Sequence, residues 1–237
     1  MNRLSILFLL SLGGLCLWGQ TSSSITISTS VPGARFQVDG TTYTQAVTFS
    51  WPTGSEHVVV FVTDPPLTGQ AVNPVQTDGS TQYAFAGWMD NNGLVQPTSA
   101  PLQVITANPA VTTFTANVSI AYLVSLNFYN AATPNGIGPP TCAAPGAIPP
   151  GQSRPGVVYI GLTCYWSSAA AYVPAGSVEN LNAYPYPGFA FVGWAINGAT
   201  PTSFLTTVTV DKALSISPIF VQAKRVSFLT SPLGLQV

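Results

Sequence analysis

The only histidine of the chain follows a serine and a glutamate in the stretch Gly54-Ser55-Glu56-His57. Serine, histidine and a carboxylate are the side chains of a nucleophilic triad, in which histidine takes the serine proton and the carboxylate orients the imidazole. In an extended strand, neighbouring side chains point to opposite faces, so Ser55 and His57 can share a face that Glu56 cannot. The spacing therefore predicts a turn followed by a strand, and no catalytic residue is expected.

Metal and cofactor chemistry has equally little support in the residue types. The stretch Asp90-Asn91-Asn92-Gly93 has one charged ligand, whereas a good calcium site uses several oxygen ligands. A closed zinc site needs more than the single histidine and a pair of cysteines. Glycoside hydrolysis requires two carboxyl groups that face each other, and no spacing marks such a pair. We therefore expect no metal, no cofactor and no enzyme activity.

Aromatic side chains are the remaining candidates for ligand binding. Tyr165 and Trp166 follow a cysteine, and Tyr184 and Tyr186 alternate with prolines. Exposed rings of this kind can stack on a sugar or against a protein partner, but aromatic side chains also fill the cores of β-sandwiches. Both interpretations stay open, and packing in the core or in loops is favoured.

The composition indicates which elements must position these residues. Of 237 residues, 46% are hydrophobic and 5% are charged, with six basic and seven acidic side chains, against about 25% charged in an average soluble domain. This balance gives no basic footprint for nucleic acid. Short runs in which apolar residues alternate with Ser and Thr, bounded by Gly, Pro, Asn and Asp, predict strands at 24–30, 34–40, 46–51 and 57–62. We expect an all-β fold of small, Ig-like β-sandwiches with little or no helix.

The first 19 residues predict a secretory signal peptide. Arg3 precedes an apolar run from Leu4 to Leu17, and the small residue Gly19 stands before Gln20. This run of about 14 residues is shorter than the roughly 20 that span a bilayer. We expect cleavage near Gly19, no membrane span in the mature chain, and a secreted or cell-surface protein of a bacterium.

Cysteine usage agrees with export. Cys142 and Cys164 remain after removal of the signal peptide, and an even number of cysteines in an exported protein favours a disulfide. Two free thiols are the alternative.

An internal repeat is visible around two Gly-Trp pairs. The stretch YAFAGWMDNNG at 83–93 matches FAFVGWAINGA at 189–199. The aligned residues are Phe85 with Phe191, Gly87 with Gly193, and Trp88 with Trp194. A glycine inside a strand often marks a bulge, and one extra residue here would bring the phenylalanine and the tryptophan to the same face. The recurrence predicts the structural core of a repeated module.

Further matches extend the repeat over most of the chain. WPTGS at 51–55 corresponds to VPAGS at 173–177. We predict a first module at 24–122 and a second at 123–224. The predicted modules differ in their insertions, which are a loop at 63–81 and a Pro- and Gly-rich segment at 132–156. Residues 225–237 are predicted to begin a third module, with a closing strand of the second as the alternative.

Four stretches of the first module resemble bacterial surface repeats of the divergent InlB B-repeat-like and PEGA-like kind. They run from Thr29 to Gly40, from Phe49 to His57, from Tyr83 to Gly93, and from Thr113 to Asn117. The resemblance implies all-β modules that serve as spacers or adhesion elements and that bring no catalytic residues. A cell-envelope glycan or another surface protein is then the expected partner. The alternative is a carbohydrate- or protein-binding module that uses the tyrosines of the second module.

Overall fold

The computed structural model describes residues 21–64, 74–96, 100–128, 155–165, 167–202 and 206–224, with the side chains of 94–96 left out. These residues form strands and turns and no helix, so the predicted all-β fold is confirmed. Within them there is accordingly no helix long and apolar enough to cross a membrane. The predicted signal peptide, most of the 132–156 insertion, Cys142, Trp166 and the segment 225–237 lie outside the described residues.

Ten strands make up the chain as far as residue 126, and the runs predicted from alternation fall on β1, β2, β4 and β5. Ser and Thr alternate with inward-facing apolar residues in β1 and β4, and in β2 Gln37 separates the buried Phe36 and Val38, as half-buried sheet positions require. The strands are β1 (Ser22–Thr29), β2 (Phe36–Val38), β3 (Thr41–Tyr43), β4 (Val47–Pro52), β5 (Glu56–Phe61), β6 (Val75–Asp78), β7 (Thr81–Asp90), β8 (Gly93–Gln96), β9 (Leu102–Thr106) and β10 (Thr113–Leu126).

Seven more strands follow. They are β11 (Gly156–Ile160), β12 (Thr163–Tyr165), β13 (Ala169–Pro174), β14 (Val178–Pro185), β15 (Phe189–Ile196), β16 (Thr207–Thr209) and β17 (Leu214–Gln222).

The first unit, β1 to β9 with the first half of β10, is a sandwich of two sheets. In one sheet β1 pairs antiparallel with β4 and parallel with β10, and β10 pairs antiparallel with β7. The other sheet has the order β3-β2-β5-β9. The two sheets enclose one core, whose largest fully buried side chains are Trp88, Phe36, Phe61, Ile25 and Ile27.

The second unit, the second half of β10 with β11 to β17, has the same order of strands. Here β10 pairs antiparallel with β13 and parallel with β17, and β17 pairs antiparallel with β15. The facing sheet has the order β12-β11-β14-β16. A separate core lies between them, with Trp194, Ile216, Val158 and Val210 fully buried.

Strand β10 belongs to both units. Residues 113–116 pair with β1 and residues 121–126 with β13, while β7 and β17 follow each other along the opposite edge. The boundary predicted between residues 122 and 123 therefore lies inside a strand. Alternate residues along β10 point into the first core and then into the second, from Phe114 to Leu126.

Three hydrogen bonds tie the two units together around this shared strand. The Leu123 amide donates to the Ser80 carbonyl at 2.8 Å, and the Ala175 amide donates to the Ile120 carbonyl at 2.9 Å. The Tyr172 hydroxyl on β13 donates to the Gly79 carbonyl in the β6–β7 turn at 2.8 Å. The junction is thus hydrogen-bonded along both edges of β10.

The predicted bulge is confirmed in both copies. Pairing with the neighbouring strand skips one residue between Phe85 and Gly87 and one between Phe191 and Gly193. The ring of Phe85 consequently lies 5.9 Å from Trp88, and that of Phe191 lies 5.3 Å from Trp194, both in edge contact. Gly87 has φ 137°, a conformation that side chains other than hydrogen rarely allow.

Candidate functional site

A continuous hydrogen-bonded chain of Ser55, His57 and Asp39 is the arrangement in the molecule that most resembles a catalytic centre. Ser55 Oγ lies 2.8 Å from His57 Nε2, and His57 Nδ1 lies 2.7 Å from Asp39 Oδ2. His57 is on β5, Ser55 precedes that strand, and Asp39 occupies the β2–β3 turn with φ 49°. Sequence reasoning considered Glu56 as the acid and missed Asp39, which is 18 positions away from His57.

The Ser55 hydroxyl makes two contacts. Ser55 Oγ donates to the Pro52 carbonyl at 2.7 Å and also lies within hydrogen-bond distance of His57 Nε2. At the other side of the ring, the Asp39 carboxylate can only accept, from Nδ1. The three side chains are thus bonded in series.

Two further contacts hold His57 and Asp39 in place. The imidazole stacks on the Trp51 indole with ring centroids 3.7 Å apart and planes 10° apart. The hydrogen bond from His57 lowers the pKa of Asp39, burial opposes this change, and the Val58 amide, which donates to Asp39 Oδ1 at 2.9 Å, supports it. The bonded side chains of Ser55, His57 and Asp39 thus attach the β2–β3 turn to β5.

The backbone amides of Gly54 and Ser55 are both bonded. Serine hydrolases stabilise the developing oxyanion with free N–H donors. Here the Gly54 amide donates to the Ala107 carbonyl at 2.8 Å, and the Ser55 amide donates to the Pro52 carbonyl at 3.0 Å. We call the bonded set of Ser55, His57 and Asp39 the clamp, because it joins the β2–β3 turn to β5.

The second unit keeps the turn and lacks the clamp. Ser177 Oγ donates to the Pro174 carbonyl at 2.8 Å, as Ser55 does to Pro52. Gly161 and Glu179 occupy the places of Asp39 and His57, and the Gly161 amide donates to the Asn180 carbonyl at 2.8 Å. A Cβ at Gly161 would collide with the Glu179 carboxylate. The serine turn is common to both units, whereas the Asp39–His57 pair is specific to the first.

The predicted aromatic site residues are not gathered on one surface. Tyr165 is half-buried against the second core, and Tyr186 is only 5% exposed. Tyr184 is 41% exposed on the outer face of β14. Trp166 lies outside the described residues. Of the three that the structure describes, Tyr184 is the most exposed.

The six predicted core residues of the repeat are found in the two cores, three in each. Trp88 and Trp194 are 0% and 1% exposed, and Trp88 Nε1 donates to the Pro101 carbonyl at 2.9 Å. The residues concerned are Phe85, Gly87, Trp88, Phe191, Gly193 and Trp194.

A buried glutamine was missed by the sequence reasoning. Gln76 on β6 is 0% exposed, and β6 lies within the segment that was predicted as an insertion loop. Its amide accepts from the Arg35 amide at 2.7 Å and donates to the Arg35 and Val62 carbonyls at 3.1 and 2.7 Å. Gln76 thereby holds β6 against the second sheet of the first unit.

Metal ligands do not cluster in the described ranges, where no group of three or more His, Cys, Asp or Glu side chains could hold an ion. The stretch at 90–93 is a turn: Asp90 Oδ1 accepts from the Asn92 amide at 2.6 Å, and Asn91 bonds across to Ala110 and Thr112. Cys164 lies on β12, and its predicted partner Cys142 lies outside the described residues, so the pairing stays a prediction.

A scan against protein-family models and a search of curated proteins each returned no match.

Proposed function

We propose that this chain is an exported, non-enzymatic structural protein whose tandem β-units act as a stiff spacer or adhesion segment. The observation that carries the proposal is strand β10, which serves as the last strand of one sandwich and the first strand of the next. The recurrence of one strand order in both units supports a relationship to surface repeats of the InlB B-repeat-like and PEGA-like kind.

A shared strand suits a spacer because it removes the hinge between modules. Flexible linkers let neighbouring domains reorient, whereas β10 passes without a break from the first unit into the second. The bonds from Leu123 to Ser80 and from Ala175 to Ile120 reinforce this passage. Both units should therefore keep a fixed mutual orientation and hold a distal segment at a set distance from the surface.

Backbone ¹⁵N relaxation of the mature chain tests the stiffness. We expect the two units to share one anisotropic rotational diffusion tensor. Leu123→Pro removes the amide that bonds to Ser80 and should uncouple the two tensors, whereas Leu123→Ala keeps the amide and should leave them matched. Independent tumbling of the units in the unmodified chain would refute the spacer proposal.

A fluorophosphonate probe tests the absence of enzyme activity at Ser55. We expect no covalent labelling, because the Ser55 hydroxyl donates to the Pro52 carbonyl and the amides of Gly54 and Ser55 are already bonded. Labelling of Ser55 that disappears in His57→Gln would show that the clamp is a working triad.

Export and the disulfide are tested on the secreted product. Its first residue should be Gln20, as expected for cleavage after Gly19.

A peptide map of the secreted product without reductant should contain one crosslinked fragment that joins Cys142 to Cys164. Free thiols at both positions would contradict the predicted pairing.

A further inference from the structure

The outer face of the smaller sheet in the second unit carries aromatic, amide and hydroxyl side chains. Register places them together: Tyr159 is opposite Asn182, and Asn180 is opposite Thr207. Leu181, between the two asparagines, points inward and is 2% exposed, so its neighbours point outward. We call this surface the Asn-Tyr face; it consists of Tyr159, Asn180, Asn182, Tyr184, Thr207 and Thr209.

Tyr184 presents its ring at one end of this face. Its side chain is 41% exposed, and its ring meets that of Tyr159 edge to face, with centroids 5.6 Å apart and planes at 85°. Such contacts fix ring orientation. A flat apolar surface of defined direction therefore borders the row of asparagines.

Two asparagines and two threonines supply the exposed polar groups of the face. Asn180, Asn182, Thr207 and Thr209 are exposed, and their side chains make no hydrogen bond to another residue in the part of the chain that the structure describes. Amides and hydroxyls can both donate and accept. Asn180 and Asn182 are two positions apart on one strand, which separates their side chains by about 7 Å.

The face carries no charged side chain. Glu179 occupies an alternate position on β14, and its carboxylate lies beside Gly161. The six side chains of the face therefore offer a charged ligand no ion pair.

The corresponding face of the first unit has a different character. Val58 is opposite Val104, and Val60 is opposite Leu102. Val58, Leu102 and Val104 are 39%, 53% and 57% exposed. The fold alone thus does not require asparagine and tyrosine at these positions, and the first unit offers matched control residues.

We propose that the Asn-Tyr face binds a neutral oligosaccharide. A sugar ring has an apolar C–H surface, which can stack on Tyr184, and hydroxyl edges, which can exchange hydrogen bonds with Asn180, Asn182 and the threonines. A protein partner is less suited, because stable protein interfaces have an apolar or aromatic centre. On this surface the exposed apolar side chains Tyr184 and Val178 lie at opposite ends of β14, with the two asparagines between them. The proposal is independent of the spacer role.

The test is a binding screen of the full mature chain on an array of neutral and charged oligosaccharides, followed by titration of the strongest neutral binder. Tyr184→Ala and Asn182→Ala should each weaken binding by about tenfold or more. Tyr184→Phe should keep most of the affinity because the stacking surface remains. Val58→Ala, at the position in the first unit that corresponds to Asn180, should leave affinity unchanged, and circular dichroism should show all four variants folded.

Binding that is lost in the two alanine variants and kept in Val58→Ala would support the proposal. It would be overturned by an array with no neutral binder, by binding that Tyr184→Ala and Asn182→Ala leave intact, or by binding of charged glycans alone. Amide chemical-shift changes confined to the first unit would overturn it as well. If no sugar binds, and a purified protein binds the unmodified chain but not Tyr184→Ala, the Asn-Tyr face would be assigned to protein recognition instead.

Discussion

The imidazole of His57 makes contacts of three kinds: a hydrogen bond with Asp39, a hydrogen bond with Ser55, and a stack on Trp51. Together they attach a turn with left-handed backbone at Asp39 to the neighbouring strand. Asp39 lies 18 positions from His57 in the sequence, so only the folded chain brings these two residues into contact.

The clamp predicts a specific pH dependence of stability. The pKa of Asp39 lies below its ordinary value of 3.8, chiefly because of the hydrogen bond from His57. The ionised carboxylate therefore stabilises the fold above that value, and this contribution is lost as the pH falls through the lowered pKa. Urea unfolding should show that Asp39→Asn costs less stability at pH 2.5 than at pH 6. A stability difference that stays the same at both pH values would contradict the clamp.

Trp194 is expected to be a determinant of stability. The side chain is 1% exposed and contacts Phe191 across the bulge. Trp194→Ala should lower the free energy of unfolding by about 3–5 kcal/mol. Val192→Ala is the control, since Val192 is 41% exposed and should cost about 0.5 kcal/mol or less. Calorimetry measures both, and equal costs would exclude a core role for the tryptophan.

Gln76 should be nearly as sensitive as the core aromatics. Gln76→Leu roughly keeps the volume and leaves the Arg35 amide and the Val62 carbonyl without the partner they have now, whereas the Arg35 carbonyl keeps its bond from the Val62 amide. Unsatisfied buried groups of this kind cost about 2 kcal/mol or more in total. Gln37→Leu, which removes one exposed bond to Thr42, should cost far less in the same denaturant titration.

At the scale of the strand, the bulges in β7 and β15 decide which side chains meet. Without a bulge, strict alternation over residues 191–194 would place Phe191 and Trp194 on opposite faces of the sheet. The bulge takes Val192 out of the pairing, so Phe191 and Trp194 are two paired positions apart and both rings enter one core. The same device in β7 brings Phe85 and Trp88 together.

Removing only the unpaired residue should therefore be tolerated. Deletion of Val192 keeps the pairing of Phe191, Gly193 and Trp194 with β17, so the two rings stay two positions apart on one face of a regular strand. We expect the amide spectrum of the deletion variant to remain native-like in both units. Val192→Ala keeps the residue count and should also give a native spectrum. Collapse of the second unit's signals in the deletion variant alone would show that the extra residue is itself needed for the fold.

At the scale of the whole molecule, β10 joins two cores into one hydrogen-bonded body. Arrays of repeats derive part of their stability from contacts between neighbours, and here the neighbour contact is a strand held in common. A substitution that destabilises one core should consequently lower the stability of the other.

Native-state hydrogen exchange measures this coupling. Trp194→Ala, which opens the second core, should also lower protection of the Val118 amide in the first half of β10. The Val59 amide, on a sheet that lacks β10, should lose less. Unchanged protection at Val118 would indicate that the units fold independently despite the shared strand.

Much of the fold could be predicted from local pattern, and less of the site. Alternation and turn residues predicted β1, β2, β4 and β5, and the repeated Gly-Trp pairs predicted both bulges. The contact of Asp39 with His57 could not be predicted, because it joins residues brought together only by the pairing of β2 with β5. Gln76 was missed because a polar residue in an insertion predicts a loop unless its three backbone partners are known.

The sequence by itself determined the all-β class, the positions of the repeated core residues and the low fraction of charged side chains, since these follow from alternation, spacing and composition. The tertiary structure decided that Ser55, His57 and Asp39 form a clamp, that Tyr184 faces solvent while Tyr186 is buried, and that two units share β10. These depend on the register and facing of strands distant in sequence, and such long-range pairings are set by the packing of the whole chain.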